Sequence, residues 1–169
     1  MGRRSRHDEI NSLLKRALVQ AKIPAINEPS DLSRSDGKRP DGLTLTTWKS
    51  GRILIWDVTL ADTLCQSYVN QCSKLAGAAA DLREDKKNSK YKELAQNYCF
   101  VPVGIETLGA WGTEGHKLVK EIGKKVAEET GEKKSNIIPV STNFYCHTKR
   151  QLKLRFRNSP TLKRLGGSF

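Results

Sequence analysis

Two aspartates, Asp41 and Asp57, are the side chains in this sequence best suited to form a catalytic centre. Asp57 stands inside the apolar run of residues 53–58, where an unpaired carboxylate would cost free energy. Two carboxylates on one face of a strand pair can share a divalent cation such as Mg²⁺ or Mn²⁺, which takes oxygen ligands and keeps several waters for substrate and nucleophile. The alternative is that both aspartates lie on the surface at strand ends, with Asp41 shaping a Pro-Asp-Gly turn.

A predicted β-hairpin sets the positions of the two aspartates. Residues 41–48 and 52–60 are rich in β-branched and aromatic residues, and a three-residue connection between them ends at Gly51. If Trp48 pairs with Arg52, the aspartates share one face of the hairpin as diagonal neighbours, with Cα atoms roughly 7–8 Å apart. The same face would carry four core residues, Leu43, Leu45, Ile53 and Ile55.

A lysine from a second helix could supply a positive charge at this centre. Residues 76–98 have a helical pattern in which Tyr91 belongs to the apolar face, and helical spacing places Lys87 and Glu84 on that same face. Lys87 could stabilise the charge that develops at a scissile phosphate or orient the attacking water. Alternatively, Lys87 pairs with Glu84 at i, i+3. Lys90 lies about 100° from Tyr91 on the helix and is the second choice.

The remaining pattern predicts an α/β domain with a mixed central sheet and flanking helices. A helix is expected at residues 9–22 with Asp8 as its N-cap, and a helix at 116–129 is expected to end at Gly131. Short strands are expected at 23–28 and 100–105, so the order is αβββαβ followed by a helix. We expect one domain over residues 9–130, a basic arm at 1–8 and a partly disordered tail at 131–169.

The positive charge of the chain is concentrated at its ends. The net charge is +12, of which residues 1–6 contribute +3 and residues 131–169 contribute +8. Basic ends of this kind favour a polyanionic partner such as DNA or RNA, although a solvated tail has the same composition. In the body, the candidate phosphate contacts are Arg6, Lys38, Arg39 and Arg52.

Other features limit the class of protein. No apolar stretch reaches the roughly 18 residues that a transmembrane helix needs, so no membrane partner is expected. The four cysteines form no CxxC pair, which argues against a zinc site and favours free thiols in a reducing compartment. For a DNA-binding protein that compartment would be the nucleus.

The ordered motifs of the chain resemble those of a known nuclease family. The sequences 38–42 and 56–59 are similar to the core of PD-(D/E)xK nucleases, and more closely to the restriction-like endonuclease domain of site-specific non-long-terminal-repeat retrotransposons. The similarity covers roughly residues 6–130. The segments that carry it are Arg6-His7-Asp8, Lys38-Arg39-Pro40-Asp41-Gly42, Trp56-Asp57-Val58-Thr59, Lys87-Asn88-Ser89-Lys90-Tyr91 and Gly104-Ile105-Glu106-Thr107 with Gly109-Ala110-Trp111-Gly112.

The resemblance implies a DNA endonuclease that nicks target DNA to prime reverse transcription. It implies that Asp41 and Asp57 bind Mg²⁺ or Mn²⁺. Glu9 in the first helix could add a third oxygen ligand, as in related nucleases, or it could be a solvated surface glutamate. The family's lysine, two residues after the second acidic ligand, is replaced here by Thr59, so Lys87 or Lys90 must take its place. A non-catalytic nucleic-acid-binding relic of such a domain is the alternative. His7 could contact a phosphate or act at the site, or serve only in capping or packing.

Overall fold

The computed structural model describes residues 3–32, 39–68, 72 and 74–131. The structure has the mixed α/β architecture and the order of main elements that the sequence pattern predicts. The described elements are α1 (Arg3–Gln20), β1 (Ala25–Asn27), a 3-10 turn (Ser30–Leu32), β2 (Gly42–Lys49), β3 (Arg52–Ala61), α2 (Ala78–Lys90), α3 (Leu94–Asn97), β4 (Cys99–Glu106) and α4 (Thr113–Thr130). Lys38 and the predicted tail beyond Gly131 lie outside the described residues.

The four strands form one mixed sheet in the order β1-β2-β3-β4. The first three strands are antiparallel neighbours, and β4 is parallel to β3 after a crossover through α2 and α3. Residues 54–59 of β3 are all buried, as expected for a strand that is covered on both faces. The short apolar run in the sequence therefore marks the centre of the sheet.

Helices cover both faces of the central strand. On one face, Leu54, Trp56 and Val58 of β3 join the main hydrophobic core with residues of α1 and α4. On the other face, α2 packs against β3 and β4. Because side chains alternate along a strand, Asp57 lies on the face that meets α2, opposite the main core. Within the described ranges, none of the helices combines the length and the apolarity that a membrane span requires.

The predicted hairpin register is correct at Thr47 and Ile53 and wrong at the other pairs. Leu43 pairs with Ile55 rather than with Asp57, because the ladder contains register shifts between Leu43 and Thr47 and again between Thr47 and Lys49. A β-bulge adds residues to one strand only and moves every later pair, and nothing in the local pattern marked it. One expected core residue, Leu45, is 55% exposed as a result.

The corrected register still makes the two aspartates neighbours. Gly42 pairs with Trp56, so Asp41 and Asp57 each lie one residue beyond the same pair. The backbone N–H of Asp41 donates to the carbonyl oxygen of Trp56 at 3.0 Å, which holds Asp41 against β3 although it precedes the regular strand. The hairpin connection itself is two residues, with Ser50 at φ 50° and Gly51 at φ 71°, a pair of positive values typical of a type I′ turn.

Several predicted helix boundaries also change: the last helix begins at Thr113 rather than at residue 116, and α2 begins at Ala78 rather than at residue 76. The first helix begins at Arg3, so Asp8 lies inside it and is not an N-cap. The added residues include His7, whose side chain is hydrogen-bonded to Asp41, and this contact stabilises the first turns of the helix. The predicted helix 76–98 is interrupted after Lys90, where Tyr91 is buried and its ring packs 4.8 Å from that of Phe100. The predicted end of the last helix is confirmed, with Gly131 at φ 69°.

A buried glutamate joins α2 to the last helix. Glu84 is 2% exposed, and its Oε1 accepts hydrogen bonds from the backbone N–H groups of Gly104 and Gly115, each at 2.9 Å. Its Oε2 accepts from the N–H of Glu114 at 2.9 Å, and Asp81 accepts from the N–H of Thr113 at 2.7 Å. These carboxylates satisfy the free N–H groups at the start of α4 and favour its positive end. The predicted pair between Glu84 and Lys87 is therefore replaced by a capping contact.

Candidate active site

Asp57 and Lys87 form a buried ion pair between β3 and α2. The Nζ of Lys87 lies 2.5 Å from Oδ1 of Asp57, and the lysine side chain is 25% exposed whereas the carboxylate is almost fully buried. Burial raises the pKa of Asp57, the positive charge of Lys87 opposes that rise, and the negative charge of Asp41 adds to it. A carboxylate at this depth needs a cation beside it to remain ionised, and Lys87 provides one.

Asp41 is held by two donors on the same oxygen. Its Oδ2 accepts a hydrogen bond from the backbone N–H of Val58 at 2.6 Å and lies 3.0 Å from Nε2 of His7. Val58 directly follows Asp57, so the first contact fixes the Asp41 side chain beside the second aspartate. The electrostatic effect of Asp41 on the pKa of Asp57 agrees with this proximity.

His7 comes from the first helix and lies at the edge of the site. The hydrogen bond to Asp41 raises the pKa of His7 to about 9, burial opposes the rise, and Asp8 adds a smaller contribution of the same sign. Nδ1 lies 3.5 Å from Oδ1 of Asp8, which can accept its hydrogen in the charged ring, and 3.3 Å from the amide nitrogen of Asn11, which can donate to it in the neutral ring. In either state Nε2 carries the hydrogen that faces Asp41.

Lys90 reaches the site indirectly, through Tyr91. Its Nζ donates to the hydroxyl of Tyr91 at 3.0 Å and lies 4.4 Å from the centre of the Tyr91 ring. The single hydrogen of that hydroxyl can go to the carbonyl oxygen of Arg39, 3.2 Å away, or to Asp57, whose pKa the tyrosine lowers. The lysine that shares the face of Tyr91, Lys87, is thus the one that contacts an aspartate.

The first helix presents His7 rather than Glu9 to Asp41. Glu9 is two residues further along α1, which is about 200° around a helix, and it is half-buried. Its proposed role as a third metal ligand stays a prediction. Thr59 is buried in β3 two residues after Asp57, and the cation that contacts Asp57 is Lys87 of α2.

The predicted phosphate-binding arginines occupy different parts of the surface. Arg39 is exposed, pairs with Glu28, and offers its backbone carbonyl to the site through Tyr91. Arg6 is half-buried on α1, and its Nε is buried without a hydrogen-bond partner among the described residues. Arg52 stands at the start of β3, about 16 Å along the strand from Asp57.

Two residues of the site, Asn11 and Tyr91, were not assigned a polar role from the sequence pattern. Asn11 is a polar residue in the apolar stripe of α1, between Ile10 and Leu14, and it is only 6% exposed. A polar residue in such a stripe signals a buried hydrogen-bond network, because an unsatisfied amide would be costly there. Tyr91 was assigned to the apolar face only, and the position of its hydroxyl depends on the bend that follows α2.

The donor groups fit a hard cation. Across the described part of the chain, no group of three or more histidine, cysteine, aspartate or glutamate side chains is arranged to hold a metal. Asp41 and Asp57 would therefore be the protein's ligands, and water would complete the shell. Mg²⁺ is commonly bound through one or two carboxylates with several waters retained, so the two oxygens suit it, whereas a structural zinc site needs more protein ligands.

Comparison of the chain with models of known protein families and with curated proteins found no match. The functional assignment therefore depends on the geometry around Asp41 and Asp57 and on the ordered motifs in the sequence.

Proposed function

We propose that this protein is a metal-dependent DNA endonuclease domain with a restriction-endonuclease-like core, which nicks target DNA for retrotransposition. The observation that carries the proposal is the arrangement of Asp41, Asp57 and Lys87. Two carboxylates from neighbouring strand segments and one ammonium from α2 lie together at one place on the sheet. A metal site beside a separate positive charge can activate water and stabilise the charge that develops during phosphodiester hydrolysis.

The two aspartates would hold Mg²⁺ or Mn²⁺, and the ion would supply Lewis-acid polarisation of the phosphate and activation of water. Asp57 is suited to this role because its carboxylate is fixed by β3 and shielded from bulk water. Asp41 is suited because His7 and Val58 occupy its Oδ2, so the metal ion would be bound through Oδ1. A preorganised pair of this kind does not have to be ordered when substrate arrives.

Lys87 would stabilise the negative charge that develops on the phosphate. Its ammonium is 2.5 Å from Asp57, so a phosphate that approaches the carboxylates is within reach of the flexible lysine side chain. In this proposal Lys87 takes the role of the lysine that the resembled nucleases carry at the position of Thr59. Lys90 is held on Tyr91 and is expected to contribute less.

DNA is the proposed substrate, and the chain's basic residues would bind its backbone. Arg6, Lys38 and Arg39 are close in sequence to the two segments that carry His7 and Asp41, so they would contact phosphates near the site. Arg52 is further away and would bind only a longer duplex. An enzyme that nicks chromosomal target DNA would act in the nucleus.

A plasmid-nicking assay tests the proposal. The wild type should convert supercoiled DNA to the open circle with Mg²⁺ or Mn²⁺ and not with EDTA. Asp41→Asn and Asp57→Asn should each reduce the rate by about 100-fold or more, because each removes a charged ligand. The matched control is Asp85→Asn, an exposed aspartate on α2, which should nick as the wild type does. Undiminished nicking by either site variant would show that the site is wrong.

The role of the lysine is tested separately. Lys87→Ala should reduce the nicking rate more than Lys90→Ala, because only Lys87 contacts a carboxylate directly. Lys86→Ala, which changes an exposed lysine on the same helix, is the matched control. A larger loss at Lys90 would mean that the cation acts through Tyr91.

The second candidate function is that of a non-catalytic nucleic-acid-binding relic. One observation favours it: Asp57 is paired with Lys87 and Asp41 with His7, so the site is close to neutral without a metal ion. DNA binding by a wild type that neither nicks DNA nor binds Mn²⁺ would establish this alternative.

A further inference from the structure

A chain of hydrogen bonds that starts in the buried core links Trp56 to Asp41. The indole Nε1 of Trp56 donates to Oδ1 of Asn11 at 3.0 Å, and Nδ2 of Asn11 lies 3.3 Å from Nδ1 of His7. The ring's other nitrogen, Nε2, lies 3.0 Å from Oδ2 of Asp41. The chain starts at a fully buried residue of β3 and ends at a proposed metal ligand.

The first donor fixes the orientation of the Asn11 amide. An indole nitrogen can only donate, so Trp56 fixes the carbonyl oxygen of Asn11 toward itself and leaves the amide NH₂ facing His7. The NH₂ group donates to Nδ1 of the neutral ring, whereas in the charged ring Nδ1–H faces Oδ1 of Asp8 at 3.5 Å. In both states Nε2–H donates to Asp41. This last bond is the same whether the ring is neutral or charged, so its geometry does not depend on the protonation of Nδ1.

We propose that Asn11 and His7 are positioning residues for Asp41, with Trp56 as their fixed anchor. The inference rests on the proposed function, since the oxygen being positioned is a metal ligand in that proposal. His7 and the N–H of Val58 both bind Oδ2, which determines the rotation of the carboxylate and directs Oδ1 to the ion. Residues that hydrogen-bond to a metal ligand orient that ligand and tune its basicity.

Two features of the structure bear on this role. The backbone of Asp41 is held by hydrogen bonds to Trp56 and Glu28, but its side chain is oriented only by the contacts of Oδ2 with Val58 and His7 among the hydrogen bonds of the described residues. Asn11 occupies a buried position on α1, where an amide is stable only if its polar atoms are hydrogen-bonded, and Trp56 and His7 lie within that distance. A polar residue at that position is useful because it connects Trp56 to His7.

The test compares metal affinity and activity in variants of the full chain. Free Mn²⁺ is measured by its electron paramagnetic resonance signal during titration. Asn11→Leu and His7→Ala should each weaken Mn²⁺ binding by about 10- to 100-fold, the usual effect of removing such a partner. The nicking kcat should fall with little change in KM for DNA, because neither substitution removes one of the basic residues proposed to bind phosphates. Gln20→Leu, an exposed change at the end of the same helix, is the control and should bind Mn²⁺ as the wild type does.

Rescue by a conservative variant separates positioning from general stability. His7→Gln places an amide N–H near the position of Nε2, so it should keep Mn²⁺ affinity within a few-fold of the wild type. If Asn11→Leu does not fold, the His7 pair decides the question, because the His7 side chain is partly exposed and its replacement leaves the core intact.

The outcomes distinguish this inference from the proposed function. A wild type that binds Mn²⁺ and nicks DNA, together with His7→Ala and Asn11→Leu proteins of unchanged affinity, overturns the positioning role alone. Equal loss in His7→Gln and His7→Ala also overturns it, because the donated hydrogen bond would then not be the cause. A wild type that binds no Mn²⁺ overturns both proposals.

Discussion

Lys87→Ala should destabilise the protein in a strongly pH-dependent way. The substitution leaves the carboxylate of Asp57 buried without its cation, and removing one member of a buried pair typically costs about 3–5 kcal/mol. Since the Lys87 side chain is 25% exposed, solvent already screens part of the pair, and we expect about 3 kcal/mol at neutral pH.

The sign of the pH dependence follows from Asp57. Burial raises the pKa of this carboxyl in the folded state, and Lys87 is the largest influence opposing the rise. Without Lys87 the folded-state pKa rises further above the unfolded value. The Lys87→Ala protein is therefore most stable relative to the wild type below the unfolded pKa, and it loses stability as the pH rises through the folded pKa.

Thermal unfolding in EDTA, followed by circular dichroism, measures the effect in the metal-free protein. A loss of about 3 kcal/mol corresponds to a melting temperature roughly 10 °C lower for a domain of this size. We expect that decrease at pH 8 and a much smaller one at pH 4. The double variant Asp57→Asn with Lys87→Ala should recover most of the stability, because no buried charge remains unpaired.

Lys86→Ala is the control, since it removes an exposed lysine from the same helix. A Lys87→Ala protein as stable as the wild type at pH 8 would refute the buried pair. A loss of equal size at both pH values would show that packing of the lysine's methylene groups, and not charge, explains the effect.

Three further predictions concern the frame of the site and its substrate. Glu84→Gln should lower the free energy of unfolding by about 1–3 kcal/mol, because the amide NH₂ group cannot accept one of the three backbone hydrogen bonds. Urea denaturation measures this change, and a variant as stable as the wild type would contradict the prediction. Gly104→Ala should cost about 1–3 kcal/mol in the same assay, because a Cβ there would lie 2.6 Å from the carbonyl oxygen of Ala80. If five phosphate contacts come from the basic residues after Gly131, truncation there should reduce the slope of log K for DNA against log salt by about 4–5. An unchanged slope would place those contacts in the body of the protein.

The identity of the main elements could be predicted from local patterns. The apolar run around Asp57 marked the central strand, and Gly131 marked the end of the last helix, because both depend on residues adjacent in sequence. Helical phase also placed Lys87 on the side of α2 that meets the sheet, since the spacing of a helix is independent of its partner. These features required no knowledge of distant contacts.

The detailed site was decided by tertiary structure. The β2–β3 register depends on bulges that become visible only when both strands are paired, so Leu45 was wrongly assigned to the core. His7 and Asp41 are 34 residues apart, and Trp56 and Asn11 are 45 apart, so no local pattern could bring them together. A polar side chain has no periodic signal for its hydrogen-bond partner, which is chosen by whatever donor or acceptor the folded chain places within about 3 Å.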